Sequence, residues 1–275
     1  MERFYVITNE TKDEEFEVTN RIKHFIESEG KSCILKHECA EEDIPEILKN
    51  VECVIVIGGD GTVIQATHET DTFDIPMIGI NLGTLGYLTD VEVANIEDAL
   101  RQLIYGEVAI EKRMMLEGTL PEGRCETALN DIVVGRTGSL RIMNFHVYVN
   151  GQLLNSYRAD GMIISTPTGS TGYNLSARGP IAQPAASMIL LTPICPHALG
   201  ANSIILADND VIDIEIGEGR DRGPEEGAIT FDGTTIIPLR TGERIHIEKA
   251  EKKALFVKLN KISFLETLCK KMKGY

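Results

Sequence analysis

The sequence predicts an α/β protein in two parts, an N-terminal domain built on a parallel sheet and a C-terminal domain made mostly of β-strands. Three observations carry that expectation. Apolar strand-like runs alternate with helix-period segments from residue 1 to about residue 105, as in an open parallel sheet. Residues 53–57 are apolar at every position, which suits a strand covered on both faces. From about residue 108 the alternation is with period 2 and helix signals become scarce. The domains implied are 1–107 and 108–255.

The elements follow in order. Residues 4–7 form a first strand. Val18, Ile22, Phe25 and Ile26 share one helical face, and Gly30 stops that helix. A short strand at 33–35 precedes a helix marked by Ile44, Ile47 and Leu48 behind the acidic run EED. After the buried strand at 53–57 comes another at 77–80. A helix follows with Ile96, Ala99, Leu100, Leu103 and Ile104 on one face and Asn95 as its cap. In the second part NFHVYV meets Asn150-Gly151 and then QLLNSY, a strong hairpin signal. VIDIEI, AITF, TIIPL and RIHIEKA add further strands, and GEGRDRGPEEG at 217–227 is a charged loop. Near the end Phe264, Leu265 and Leu268 stand at helical spacing before a lysine cluster suited to a helix C-terminus.

Composition narrows the function. The 275 residues carry a net charge of −15, and a phosphate backbone needs a basic face, so nucleic acid is excluded as a partner. The absence of Trp and an aromatic content of 5% remove a base-stacking platform. The opening MERFYVITNE lacks the basic and long apolar regions of a signal peptide, and no apolar run reaches the roughly 20 residues that span a bilayer. Cys33, Cys39, Cys53, Cys125, Cys195 and Cys269 form no C-x-x-C pair. Cys33, His37 and Cys39 lie close together, yet thiols of a reducing compartment are the simpler reading. The expectation is a cytoplasmic protein with no membrane partner.

Three motifs carry chemistry. GGDGT at 58–62 follows the buried strand, so it falls where open parallel sheets bind ligands. Glycines let a ligand approach the main chain, and bare N–H groups at a helix start favour phosphate. Asp60 would repel phosphate unless it took a proton from an attacking hydroxyl or helped to hold a divalent metal. The P-loop and the G-x-G-x-x-G fingerprint are both absent. The second motif is DGMIISTPTGSTGYNLSARGP at 160–180, with seven Ser, Thr and Tyr hydroxyls from Ser165 to Ser176. It reads as a binding loop for a polar ligand or as a polar surface turn. The third is ALND at 128–131, where Asn130 and Asp131 read a ribose diol or a base edge, or else cap a turn.

Together with GINLGTLGYLT at 79–89 and PICPHAL at 193–199, these motifs resemble the bacterial NAD kinases in order and spacing, over most of the chain. The resemblance implies a two-domain fold with the site between the domains and the tail, 256–275, packing back on the first. It implies transfer of a phosphoryl group from ATP, or from inorganic polyphosphate, to the 2′-hydroxyl of the adenosine ribose of NAD. Asp60 is then the base or metal-linked carboxylate, and Gly59, Gly61 and Thr62 approach the phosphates. Tyr87 stands where Phe is common. Asn130 and Asp131 hold the adenosine part. Asp160, Thr168, Thr171, Gly172, Tyr173 and Ser176 line the dinucleotide, and Arg141 and Arg158 match basic contacts. Mg²⁺ or another divalent cation and a homodimer or homotetramer are implied as well.

Four positions depart from the commonest pattern of that family. Asp131 replaces Glu, Gly172 replaces Ala, Arg178 replaces Gly and Tyr87 replaces Phe. His197, between a proline and apolar residues, reads as part of a packed loop. Two other readings compete, a catalytically silent dinucleotide sensor and a lipid kinase sharing GGDGT. Asp60 argues against the first, and Val63-Ile64-Gln65 after the motif argues against the second.

Overall fold

The computed structural model describes residues 1–70, 72–83, 86–137, 142–198, 200–219, 223–259 and 263–273. The chain forms two compact units, Met1–Lys112 with Ala254–Tyr275, and Arg113–Lys253.

The first unit is the α/β part. Its elements are β1 (Arg3–Thr8), α1 (Glu17–Ser28), β2 (Ser32–Leu35), α2 (Ile44–Leu48), β3 (Cys53–Gly58), α3 (Asp60–Thr70), β4 (Met77–Asn81), β5 (Thr89–Glu92) and α4 (Ile96–Tyr105). The strands pair in the order β2-β1-β3-β4-β5, and every pairing is parallel. β3 lies inside that sheet and is buried at all its positions, so an all-apolar sequence costs nothing there. Ile22 and Ile26 of α1 and Leu100 and Leu103 of α4 join Ile55, Ile57 and Ile78 in one core. The start of α1 is fixed from a distance. The Asp13 carboxylate accepts the N–H groups of Val18 and Thr19 at 3.2 and 2.9 Å and the Thr19 hydroxyl at 2.7 Å. The expected cap of α4 differs in kind: Asn95 occupies the N-cap position but its side chain makes no capping hydrogen bond.

The second unit is all but entirely β. It contains most of β6 (Ala109–Thr119), then β7 (Cys125–Ala128), β8 (Asp131–Arg136), β9 (Met143–Val149), β10 (Gln152–Ala159), β11 (Gly161–Ser165) and a single helical turn, α5 (Tyr173–Ser176). β12 (Met188–Ile194), β13 (Ile204–Ala207), β14 (Ile212–Ile216), β15 (Glu226–Phe231), β16 (Thr235–Arg240) and β17 (Arg244–Lys258) follow. One antiparallel sheet runs β10-β9-β14-β17 and the other β13-β12-β11-β8-β15-β16. The alternating side chains explain the core. Phe145, Val147, Ile214 and Ile245 from the first sheet pack with Val134, Met162, Leu191 and Ile229 from the second. The β9–β10 hairpin turns on Asn150 and Gly151 at φ 50 and 76, the two positive values that a two-residue hairpin turn demands.

The end of β17 returns to the first unit, where Phe256 pairs with Met77. It leads to α6 (Phe264–Met272), whose N-cap Ser263 accepts the Glu266 N–H at 3.2 Å. Among the described residues no helix is long and apolar enough to cross a membrane.

Candidate active site

In the first unit β3 ends at Gly58 and α3 begins at Asp60, so the turn between strand and helix occupies a single residue, Gly59. Gly58 is packed so closely that an added Cβ would overlap the Thr62 hydroxyl, which also accepts the Asn9 amide at 3.1 Å. Asp60 is held by a loop distant in sequence. Its carboxylate accepts the Tyr87 N–H at 2.8 Å on one oxygen and the Leu88 N–H at 2.9 Å on the other. Gly86 makes this possible, because a Cβ there would overlap the carboxylate. Each oxygen keeps a second lone pair. The carboxylate lines a cleft of about 350 Å³ together with Lys12, Gly61, Thr62, Gln65 and Lys271.

In the second unit the centre is the segment Leu129–Asn130–Asp131 at the start of β8. Its three consecutive N–H groups all donate to the Asp232 carboxylate, at 2.7, 2.7 and 2.9 Å. Asp232 adopts φ 49 in the turn between β15 and β16, followed by Gly233 at φ 71. Asp131 is buried, and its carboxyl is pushed up to about 7, first by burial and then by the neighbouring Asp232 charge. Asn130 presents a buried Oδ1 with no hydrogen-bond partner among the described residues. Asn130, Asp131, Tyr173, Thr230 and Asp232 line a cleft of about 290 Å³.

The hydroxyl-rich loop is mostly architecture. Thr166 donates to the Leu129 carbonyl at 2.6 Å, Ser165 to the Asn130 carbonyl at 3.2 Å, and Ser170 to the Pro167 carbonyl at 2.6 Å. The Thr168 hydroxyl accepts from Arg113 at 3.3 Å, and Thr171 donates to the Thr168 carbonyl at 3.4 Å. Gly169 lies against the Asn130 carbonyl where a Cβ would overlap it. Hydroxyl density here reflects a loop folded around the 129–131 segment, while Tyr173 and Ser176 are exposed.

Of the residues singled out in the sequence, Gly59, Asp60, Gly61 and Thr62 share the cleft of the first unit, and Tyr87 adjoins it through its N–H bond to Asp60. Asn130, Asp131 and Tyr173 share the cleft of the second unit, and Gly172 adjoins them, its missing Cβ 3.6 Å from Asn130 Nδ2 and 3.9 Å from Asp131 Oδ2. Asp160 pairs with Arg136 at 3.4 Å, and Arg158 is exposed on β10. Arg141 lies outside the described residues. His197 is exposed, and its N–H donates to the Arg158 carbonyl of β10 at 2.9 Å. Arg178 adopts φ 64, a conformation natural to glycine. Sequence reasoning missed Asp232, although the Asp-Gly turn in FDGTT was a visible signal, and missed Lys12 and Lys271, which carry no local signature.

A carboxylate presented at the start of a helix, where the Asp60 and Gly61 N–H groups have no acceptor within the helix, on a parallel-sheet domain joined to a β-rich one, is the equipment of a phosphotransferase that acts on an alcohol. Comparison with known proteins makes the class specific. Residues 4–108 match the ATP-NAD kinase N-terminal domain and residues 129–259 the ATP-NAD kinase C-terminal domain. The NAD kinase of Lachnospira eligens is 45% identical over 293 residues, covering 99% of this chain and 100% of that one. The NAD kinase of Lachnoclostridium phytofermentans is 43% identical, covering 98% of each. Among solved structures, yeast NADH kinase complexed with NADH superposes with a TM-score of 0.84 at 25% identity, covering 100% of this chain and 88% of that one. An Archaeoglobus fulgidus NAD kinase in complex with ATP gives 0.80 at 25% identity, covering 98% of each. The chain belongs to the NAD kinase family.

Proposed function

We propose that this chain transfers the γ-phosphoryl group of ATP, or a terminal phosphoryl group of inorganic polyphosphate, to the 2′-hydroxyl of the adenosine ribose of NAD. The 2′-oxygen attacks the terminal phosphorus, the bond from that phosphorus to its bridging oxygen breaks, and ADP or the shortened polyphosphate leaves with the electron pair. Asp60 takes the hydroxyl proton. The observation that carries this reading is the fixed Asp60 carboxylate, open to a cleft and immobilised by two main-chain N–H groups. Such positioning is most of what phosphoryl transfer asks of a protein.

Asn130, with its buried unpartnered Oδ1, and Asp131, Gly172 and Tyr173 around the second cleft hold the dinucleotide. Thr168 and Thr171 brace that loop, and Asp160, Ser176, Arg158 and Arg141 complete the expected set. Among the described residues no group of three or more His, Cys, Asp or Glu could hold a metal. One carboxylate with spare lone pairs suits Mg²⁺, which is commonly held by one or two carboxylates together with substrate phosphates. Where Asp60 is the metal-linked carboxylate in place of the base, it would hold the ion, which would neutralise phosphate charge. Six free cysteines fit a cytoplasmic protein, and a homodimer or homotetramer is the expected assembly.

The test is to incubate the protein with NAD, Mg²⁺ and either ATP or polyphosphate, and to assign the new phosphate by phosphorus–proton correlation. An Asp60→Asn variant runs alongside. Phosphorylation at the 2′ position, reduced by a factor of about 10² to 10⁴ in the folded variant, is expected. Activity retained by the variant would remove the proton-accepting role. A wild type inert with both donors would favour the silent sensor.

A further inference from the structure

We propose that Lys12 and Lys271 are the cations that grip the phosphate chain of the phosphoryl donor, so that the C-terminal helix supplies part of the donor site. The inference rests on the reaction proposed above and adds to it the chemistry by which the donor is recognised.

The two lysines come from opposite ends of the sequence and line the same cleft as Asp60. The Lys12 ammonium stands over bare glycine main chain, 3.2 Å from where a Cβ on Gly59 would be and 3.8 Å from where one on Gly83 would be. It therefore sits beside the turn that leads into α3, where the Asp60 and Gly61 N–H groups have no acceptor within the helix. Lys271 is held differently. Its ammonium lies 4.2 Å from the centroid of the Tyr87 ring, and Phe264 of the same helix packs 6.0 Å from that ring. Tyr87 thus has two duties: its N–H fixes Asp60 and its ring fixes the helix that carries Lys271.

Charge and position together suit these two lysines to an anion. In a chain of net charge −15, Lys23, Lys31, Lys36 and Lys258 each pair with a carboxylate. Lys12 and Lys271 make no ion pair with any described residue, and the nearest carboxylate in their cleft is one already bound by two N–H groups. Two ammonium groups against one carboxylate leave the cleft net positive on an acidic protein. A cleft of about 350 Å³ is within the usual range for small-ligand sites. Its flexible ammonium groups are point charges, which read a phosphate chain and not what is attached to its far end. Donor choice should therefore follow the phosphates rather than the base.

Calorimetric titration of the full chain with inorganic tripolyphosphate tests this directly. Lys12→Met and Lys271→Met should each weaken tripolyphosphate binding about tenfold, while Lys12→Arg stays close to wild type. Lys49→Met, on an exposed lysine paired with Glu46 in α2, should change nothing. In steady-state assays the two Met variants should raise the donor KM by a similar factor and leave the NAD KM within about twofold. Tripolyphosphate affinity unchanged in both Met variants would overturn the proposal, even if NADP is formed normally. Affinity lost in both variants of a protein that makes no NADP would sink the reaction and leave the cation site standing.

Discussion

Asp60 and Asp131 make an instructive pair. Both stand at the end of a β-strand, one just after β3 and one opening β8, and both line a cleft. Asp60 is half-exposed and receives two main-chain N–H groups on its own oxygens. Asp131 is buried, and the N–H donors of its segment go to a different carboxylate, Asp232. The same side chain is thus anchored by main-chain donors in one region and pressed toward neutrality by burial in the other. What distinguishes them is first burial and then where the surrounding charges and backbone donors lie, and both follow from which loops are packed nearby.

That contrast can be broken from either side. The largest effect is expected at Asp232. Replacing it with Ala strands three consecutive N–H groups, so Asp232→Ala should lower stability by about 3 kcal/mol or more in urea denaturation. A loss below about 1 kcal/mol would show that the 129–131 segment is held by something else. The next effect is at the other aspartate. Gly86→Ala puts a methyl group where the Asp60 carboxylate lies and must displace it from at least one N–H. NADP formation should fall roughly 10²-fold while the melting temperature changes little, because misplacing a reacting group costs rate rather than fold. Full activity in that variant would mean the carboxylate need not be fixed by the 86–88 loop.

A third test sharpens the comparison through pH. Asp131 titrates near 3.8 when unfolded and about 7 when folded. Between those values the folded state holds more protons, so stability should fall as pH rises through this window and level off above it. Asp131→Asn should flatten that slope in urea denaturation between about pH 5 and 8 and be at least as stable as wild type at the alkaline end. An unchanged slope would show that Asp131 is ionised throughout.

Some of this was legible in the sequence because it is local. Residues 53–57 are apolar at every position and became a fully buried β3. Asn150-Gly151 became a hairpin turn because two adjacent positive φ values are a property of those residues themselves. Glycine spacing in GGDGT placed a carboxylate at a strand-to-helix turn for a different local reason, since Gly58 packs where a Cβ would overlap the Thr62 hydroxyl. The Ser and Thr density of 165–176 left two readings open by its nature, since a hydroxyl that serves a ligand and one that serves a neighbouring carbonyl look alike in sequence.

By itself, then, the sequence determined the two-part fold, the buried strands and turns, and the position of Asp60 after β3, since each depends on neighbours within a few residues. Only the tertiary structure decided what surrounds each aspartate. The donors to Asp60 lie 27 and 28 residues away, those to Asp232 lie 101 to 103 residues away, and Lys271 reaches Tyr87 from the far end of the chain. Electrostatic environment is set by distance in space, and no periodicity or spacing in a sequence encodes contacts of that separation.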